Sequence, residues 1–176
     1  MASGIKLDVF IDDDFAERFE VRTIPVAYAE RLPNGEYGRL WRDFVAKGKL
    51  FHTDDVSLEN LFKLFPLQCI NLYDTTERGM PRIRFLGAGL KLSNNGRSPS
   101  GMPVREFGGG TRYAAEMART IDTVAACGCP MFQHVMIHLT VHTYHRLLLP
   151  VSDDGRRIIR VLGASVFPSR FRDEML

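Results

Sequence analysis

Apolar and polar residues alternate along some stretches of this chain and recur at helical spacing along others, and the two periods divide it into elements. Near the start, IKLDVFI sets Ile5, Leu7, Val9 and Ile11 apart from Lys6 and Asp8, the period of two expected of a strand. Asp12, Asp13 and Asp14 interrupt it, as a solvated turn or as the N-cap of a short helix from Phe15 to Phe19. Residues 23–29 suggest a second strand, closed by Pro33-Asn34-Gly35, where Asn-Gly takes positive φ angles at little cost. Residues 1–36 are therefore expected to form an N-terminal extension with a strand pair. From Tyr37 to Lys47, the apolar residues Leu40, Trp41, Phe44 and Val45 fall on one helical face, and Gly48 stops the helix. Ser57 with Asn60, or Asp54 with Asp55, offers capping for a short helix through Phe65 that Pro66 ends. Residues 37–66 thus read as a helical segment.

Beyond Pro66 the chain is rich in strands. Leu67–Tyr73 and Ile83–Leu92 flank the polar segment DTTERGMP and predict a long-turned antiparallel hairpin. Residues 93–110, rich in Gly, Ser, Pro and Asn, predict a loop with a helical turn at Pro103–Phe107. Thr111 caps an amphipathic helix with Tyr113, Met117, Ile121 and Val124 on one face, and Gly128 and Pro130 terminate it. Met131–Leu139, Thr143–Val151 and Ile158–Phe167 are dense in β-branched and aromatic residues. The last two are joined by Ser152-Asp153-Asp154-Gly155, a strong hairpin signal. Residues 67–167 are expected to be the main α+β domain and 168–176 a tail.

Composition adds little direction. Of 176 residues, 45% are hydrophobic and 25% charged, the profile of a globular chain with a core. The net charge of +2 is spread among both signs, with no basic stripe to follow a phosphate backbone, so no nucleic-acid partner is expected. No stretch has the ~18–20 apolar residues a membrane helix needs, and MASGIKLDVFIDDDFAERF lacks the basic start and apolar core of a secretory signal. Cys69, Cys127 and Cys129 are an odd number with no export signal, which points to reduced thiols and a cytoplasmic protein.

The order from Leu67 is strand, strand, small helices, one longer helix and three strands, which is the order of a PAS domain. LLLPVSDDGRRIIRVLGASVF, residues 147–167, resembles the last hairpin of a bacterial family of small stand-alone PAS-like proteins. IRFLGAGLKLSNNGRSPSGMPVREF resembles that family's second strand and its Gly-rich descent into the next helix. LWRDFVAKGKLFHTDDVSLENLFKLFPLQCINLYD resembles its usual opening, although Lys47-Gly48-Lys49 is less basic than usual and residues 1–36 have no counterpart. The resemblance implies a five-stranded antiparallel sheet with helices on one face. It further implies a small cavity that holds haem, flavin, a metabolite or only side chains, and homodimerisation through an N-terminal helix and the sheet. No catalytic residue comes with it. The implied function is a sensory or protein-interaction module in bacterial signalling, binding a small molecule or a partner protein, and not an enzyme.

The pocket wall expected on this reading is Tyr113, Met117 and Ile121 from the long helix, facing Leu147, Leu149 and Val161 from the sheet. The main competing chemistry is histidine. His134, His138, His142 and His145 lie in QHVMIHLTVHTYHR, and a metal- or haem-binding protein using them is the alternative. The composition there favours strand, where His134, His138 and His142 share one face unless a bend intervenes, so a row on the solvent or interface side is the plainer expectation. Cys127-Gly128-Cys129 has neither redox-pair nor zinc-knuckle spacing and is expected to be core thiols near a helix end. Gly108-Gly109-Gly110 matches no phosphate-loop motif and reads as a hinge. Ser165 lacks the second glycine of a nucleophile elbow, and Asp153 and Asp154 are needed by their turn.

Overall fold

A computed structural model describes residues 9–11, 18–31, 36–65, 69–87, 99–137 and 142–166. Strand β1 (Val9–Ile11) pairs antiparallel with β2 (Phe19–Ile24), the strand pair expected of the extension. The second strand lies earlier than the 23–29 expected: Pro25, which has no N–H to donate, ends it, and a 3-10 helix occupies Val26–Arg31. Helix α1 spans Glu36–Ala46, and Gly48, at φ +78°, closes it. A two-residue strand β3 (Phe51–His52) leads to α2 (Leu58–Leu64), whose first turn is capped by Ser57 Oγ accepting from the Asn60 amide at 3.3 Å. Then come β4 (Ile70–Asp74), β5 (Arg82–Leu86), a 3-10 segment at Val104–Gly109, and α3 (Arg112–Cys127). Strands β6 (Met131–Ile137), β7 (His142–Ser152) and β8 (Ile158–Val166) finish the described chain. The part of the second predicted strand beyond Gly87 lies outside the described residues.

All eight described strands share one sheet, ordered β1-β2-β6-β7-β8-β4-β5, with β3 added parallel to β7. The other pairings are antiparallel, so the fold is α+β: an antiparallel sheet with a few helices packed against it. The extension is not a separate body. Strand β2 pairs with β6 from Phe19↔Ile137 to Ile24↔Phe132 and lengthens the sheet. Pro150 stands where this sheet tolerates it, between the last β6 pairing of β7 (Met131↔Leu148) and the first from β3 (Phe51↔Val151).

The register fixes which residues share a face, and here the helices are not confined to one face as expected. On one side Leu147, Leu149, Val151, Leu162 and Ala164 pack with Tyr37, Leu40 and Phe44 of α1 and Leu61 of α2. On the other, Leu148 and Val161 pack with Tyr73, Ile83, Ala118, Ile121 and Val124, the last three from α3. A third cluster joins Phe19, Val21, Val135 and Tyr144, with Tyr113 of α3 against it. The physical reason lies in the sequence. Leu147-Leu148-Leu149 is apolar at both parities, so β7 needs cover on both sides, and all three leucines are buried.

Candidate functional site

Helix α3 starts at Thr111, whose Oγ1 accepts from the Ala114 amide at 3.1 Å. It ends at Gly128, in the left-handed region at φ +64°, with its amide on the Val124 carbonyl at 2.9 Å. The three glycines before it, 108 to 110, all have positive φ. They build the reversal into the helix, since L side chains rarely adopt three such angles in succession. Anchored at both ends, α3 lays Ile121 and Val124 on the apolar part of the sheet and Tyr113 on its polar part.

That polar part is built on β6 and β7. Register Gln133↔Arg146 and Val135↔Tyr144 places these four residues on the α3 side, in line with Leu148. Arg146 is only 2% exposed. Its Nε donates to Gln133 Oε1 at 2.7 Å and its Nη1 to Tyr113 Oη at 3.0 Å, and the guanidinium carbon lies 5.8 Å from the Tyr113 ring centre. Tyr113 and Tyr144 are hydrogen-bonded through their hydroxyls. Gln133 Nε2 donates in turn to Thr23 Oγ1 of β2 at 3.3 Å, so the extension buttresses the network. Two buried polar atoms on this face have no partner among the described residues: Arg146 Nη2, a donor, and Asn71 Oδ1, an acceptor. Burial pushes the phenols of Tyr73 and Tyr144 well up, so both stay protonated at neutral pH. Burial works against the charge on Arg146, yet its pKa is raised overall, so the guanidinium is charged.

Of the expected pocket wall, Tyr113, Met117, Ile121 and Val161 are brought to this side, with Tyr73 Oη 4.0 Å from Met117 Sδ. Leu147 and Leu149 are not. They point to the opposite face, under α1, because Leu148 holds the parity that faces α3. Sequence reasoning missed Arg146, Gln133 and Asn71. The available signal was a polar residue at inward parity within an apolar strand: Gln133 between Met131 and Val135, and Arg146 two before Leu148.

The histidines divide differently. His134 and His145 are cross-strand partners, with ring centres 4.9 Å apart, and His145 also stacks on Phe132 at 5.6 Å. The pair is half-buried on the α1 side, and the Tyr37 hydroxyl donates to the His145 carbonyl. Burial lowers the pKa of both, helped by Arg22 at His134 and by His134 at His145. His142 begins β7 opposite Ile137, and His138 lies outside the described residues. Among the described residues no group of three or more His, Cys, Asp or Glu side chains comes together to hold a metal ion.

Cys127 and Cys129 are exposed, not core thiols; the helix end at Gly128 turns both outward, and the Cys129 amide donates to Cys127 Sγ at 3.1 Å. Cys127 borders an open cleft of about 960 Å³, with Lys49, Arg78, Arg119, Arg156 and Arg157 around it and Asp122 among them. This cleft is away from the polar network, and several of its charges already have partners: Arg119 on Glu116, and Arg157 Nη2 on the Thr76 carbonyl at 2.8 Å. Asp154 is committed to its turn as expected, its Oδ1 accepting from the Arg156 and Arg157 amides at 2.8 and 2.9 Å, which holds its pKa low. No helix among the described residues is long and apolar enough to cross a membrane. Comparisons with protein families, with curated proteins and with solved structures find no match.

Proposed function

We propose that this chain is a PAS-like sensory or interaction module that takes up a small molecule between α3 and the sheet and passes the signal to a partner protein. Two hairpin strands, short helical turns, one long helix and three strands closing a single antiparallel sheet support the PAS-like reading. The observation that carries ligand binding is the interior polar network under α3, where one nitrogen of a buried guanidinium has no partner among the described residues. A purely structural interior seldom retains such a group, because an unsatisfied buried donor costs about 1–3 kcal/mol, and more when charged. Val45 on α1 and Tyr28 before it are exposed large apolar residues, which suits homodimerisation through the N-terminal segment.

Native mass spectrometry of the freshly purified chain tests both parts. Small-molecule mass that is lost on denaturation, carried by a dimer, is the expected outcome. A bare monomer that no metabolite mixture stabilises against heat overturns the reading.

A further inference from the structure

The charge balance around Arg146 says what kind of molecule such a site would take, and this step rests on the ligand-binding reading above. Arg146 is buried and charged, yet no carboxylate of the described residues forms an ion pair with it. Glu116, whose charge it feels, is held by Arg119 through both oxygens at 2.7 and 2.9 Å and points its bonds elsewhere. The phenols of Tyr73 and Tyr144 cannot supply the missing charge, because burial keeps them protonated. What remains is an excess of donors around one positive charge, in a region of low dielectric where a lone cation is costly. A water molecule could accept from Nη2 but would not neutralise it.

We propose that Arg146, with the hydroxyls of Tyr113 and Tyr144, forms an internal anchor for the carboxylate of a small organic acid. One buried positive charge balances one negative charge, which favours a monoanion over a phosphate dianion. Nε and Nη1 are already spent on Gln133 and Tyr113, so the carboxylate meets the guanidinium end-on through Nη2, with a tyrosine hydroxyl positioned to donate to the same group. The body of the acid enters beside Met117, at the half-buried rim of the apolar cluster that Ile121, Leu148 and Val161 close. Tyr113 and Met117, on the first turns of α3, are the half-buried members of this face.

The test titrates acetate, hexanoate and benzoate into the full chain, against benzyl alcohol and inorganic phosphate, at fixed pH and ionic strength. The thermal midpoint and the amide resonances of Gln133 and Arg146 are followed. At least one carboxylate is expected to give saturable shifts, while benzyl alcohol and phosphate give none. Arg146→Gln should weaken that carboxylate about tenfold or more, the loss of one charge-assisted hydrogen bond. Tyr113→Phe, which keeps the ring, should weaken it less and guards against misfolding of the first variant. No saturable response to any of the three acids overturns the assignment. So does an equal response to benzyl alcohol that survives Arg146→Gln, but that result leaves the ligand-binding reading standing. A bare, unstabilised monomer in the native mass experiment would remove both.

Discussion

At the scale of single residues, Gln133 and Arg146 test the polar network from both sides. Gln133→Leu keeps the size of the side chain but leaves Arg146 Nε without its acceptor, in a place water does not reach. The unfolding free energy should fall by about 1–3 kcal/mol, the cost of an orphaned buried donor. Adding Arg146→Met to that variant removes the donor as well and should recover most of the loss, since an apolar replacement for a buried ion is often neutral or stabilising. Urea unfolding of the two single variants and the double variant gives the cycle; purely additive losses would show that the two side chains are not coupled. The histidine pair makes a second residue-scale prediction. Burial holds His134 and His145 below their ordinary value of 6.5. Well above that pH both are neutral, folded or unfolded, and contribute no pH dependence. As the pH falls through 6.5 toward the lowered folded values, the unfolded chain binds protons that the folded chain refuses, and stability drops. The urea midpoint should therefore fall from about pH 7.5 to about pH 5.5, and the fall should be smaller in His134→Gln/His145→Gln.

Elements carry the next level, where the sequence was most legible at caps and turns and least legible in parity. Thr111, Gly128, Ser57 and the Asp154-Gly155 turn announce their elements through local chemistry, and the structure uses each of them. Thr111→Ala should cost about 1 kcal/mol by freeing the Ala114 amide, measured as a lower thermal midpoint with the far-ultraviolet spectrum unchanged. Gly163→Ala is a harsher change of the same size. A Cβ there would meet the Tyr73 ring at 3.2 Å and Leu148 at 3.4 Å, and overpacking of this kind costs about 1–3 kcal/mol. Parity was less legible because LLLPV is apolar throughout. Nothing local says whether Leu148 or its neighbours face α3; only the cross-strand register, Leu148 with Gly163 and Met131, decides it. The same ambiguity hid Arg146, whose parity follows that of Leu148 and is fixed only by the register. In the histidine run the antiparallel register pairs His134 with His145 and Ile137 with His142, so the row is not the single face that one continuous strand would have given.

For the whole molecule, the consequence of a two-sided sheet is that adjacent leucines report on different interiors. Leu149 belongs to the cluster under α1, where the single tryptophan, Trp41, packs with its ring centre 5.6 Å from that of Phe44. Leu148 belongs to the cluster under α3. Leu148→Ala and Leu149→Ala each open a cavity in a close-packed region and should each cost about 2–5 kcal/mol. Their native fluorescence should differ. Leu149→Ala loosens the cluster that holds Trp41 and should shift its emission, whereas Leu148→Ala should leave the native spectrum as it is. Unfolding should not respect that division. The strands β7 and β8 supply side chains to both interiors, so neither layer can melt without exposing the back of the other, and a single cooperative transition is expected. Leu148→Ala should therefore lower the urea midpoint read by Trp41 as much as the midpoint read by far-ultraviolet circular dichroism. A tryptophan midpoint unmoved by Leu148→Ala would mean that the α1 layer and its side of the sheet hold together without α3, and that a ligand under α3 could not be sensed across the sheet.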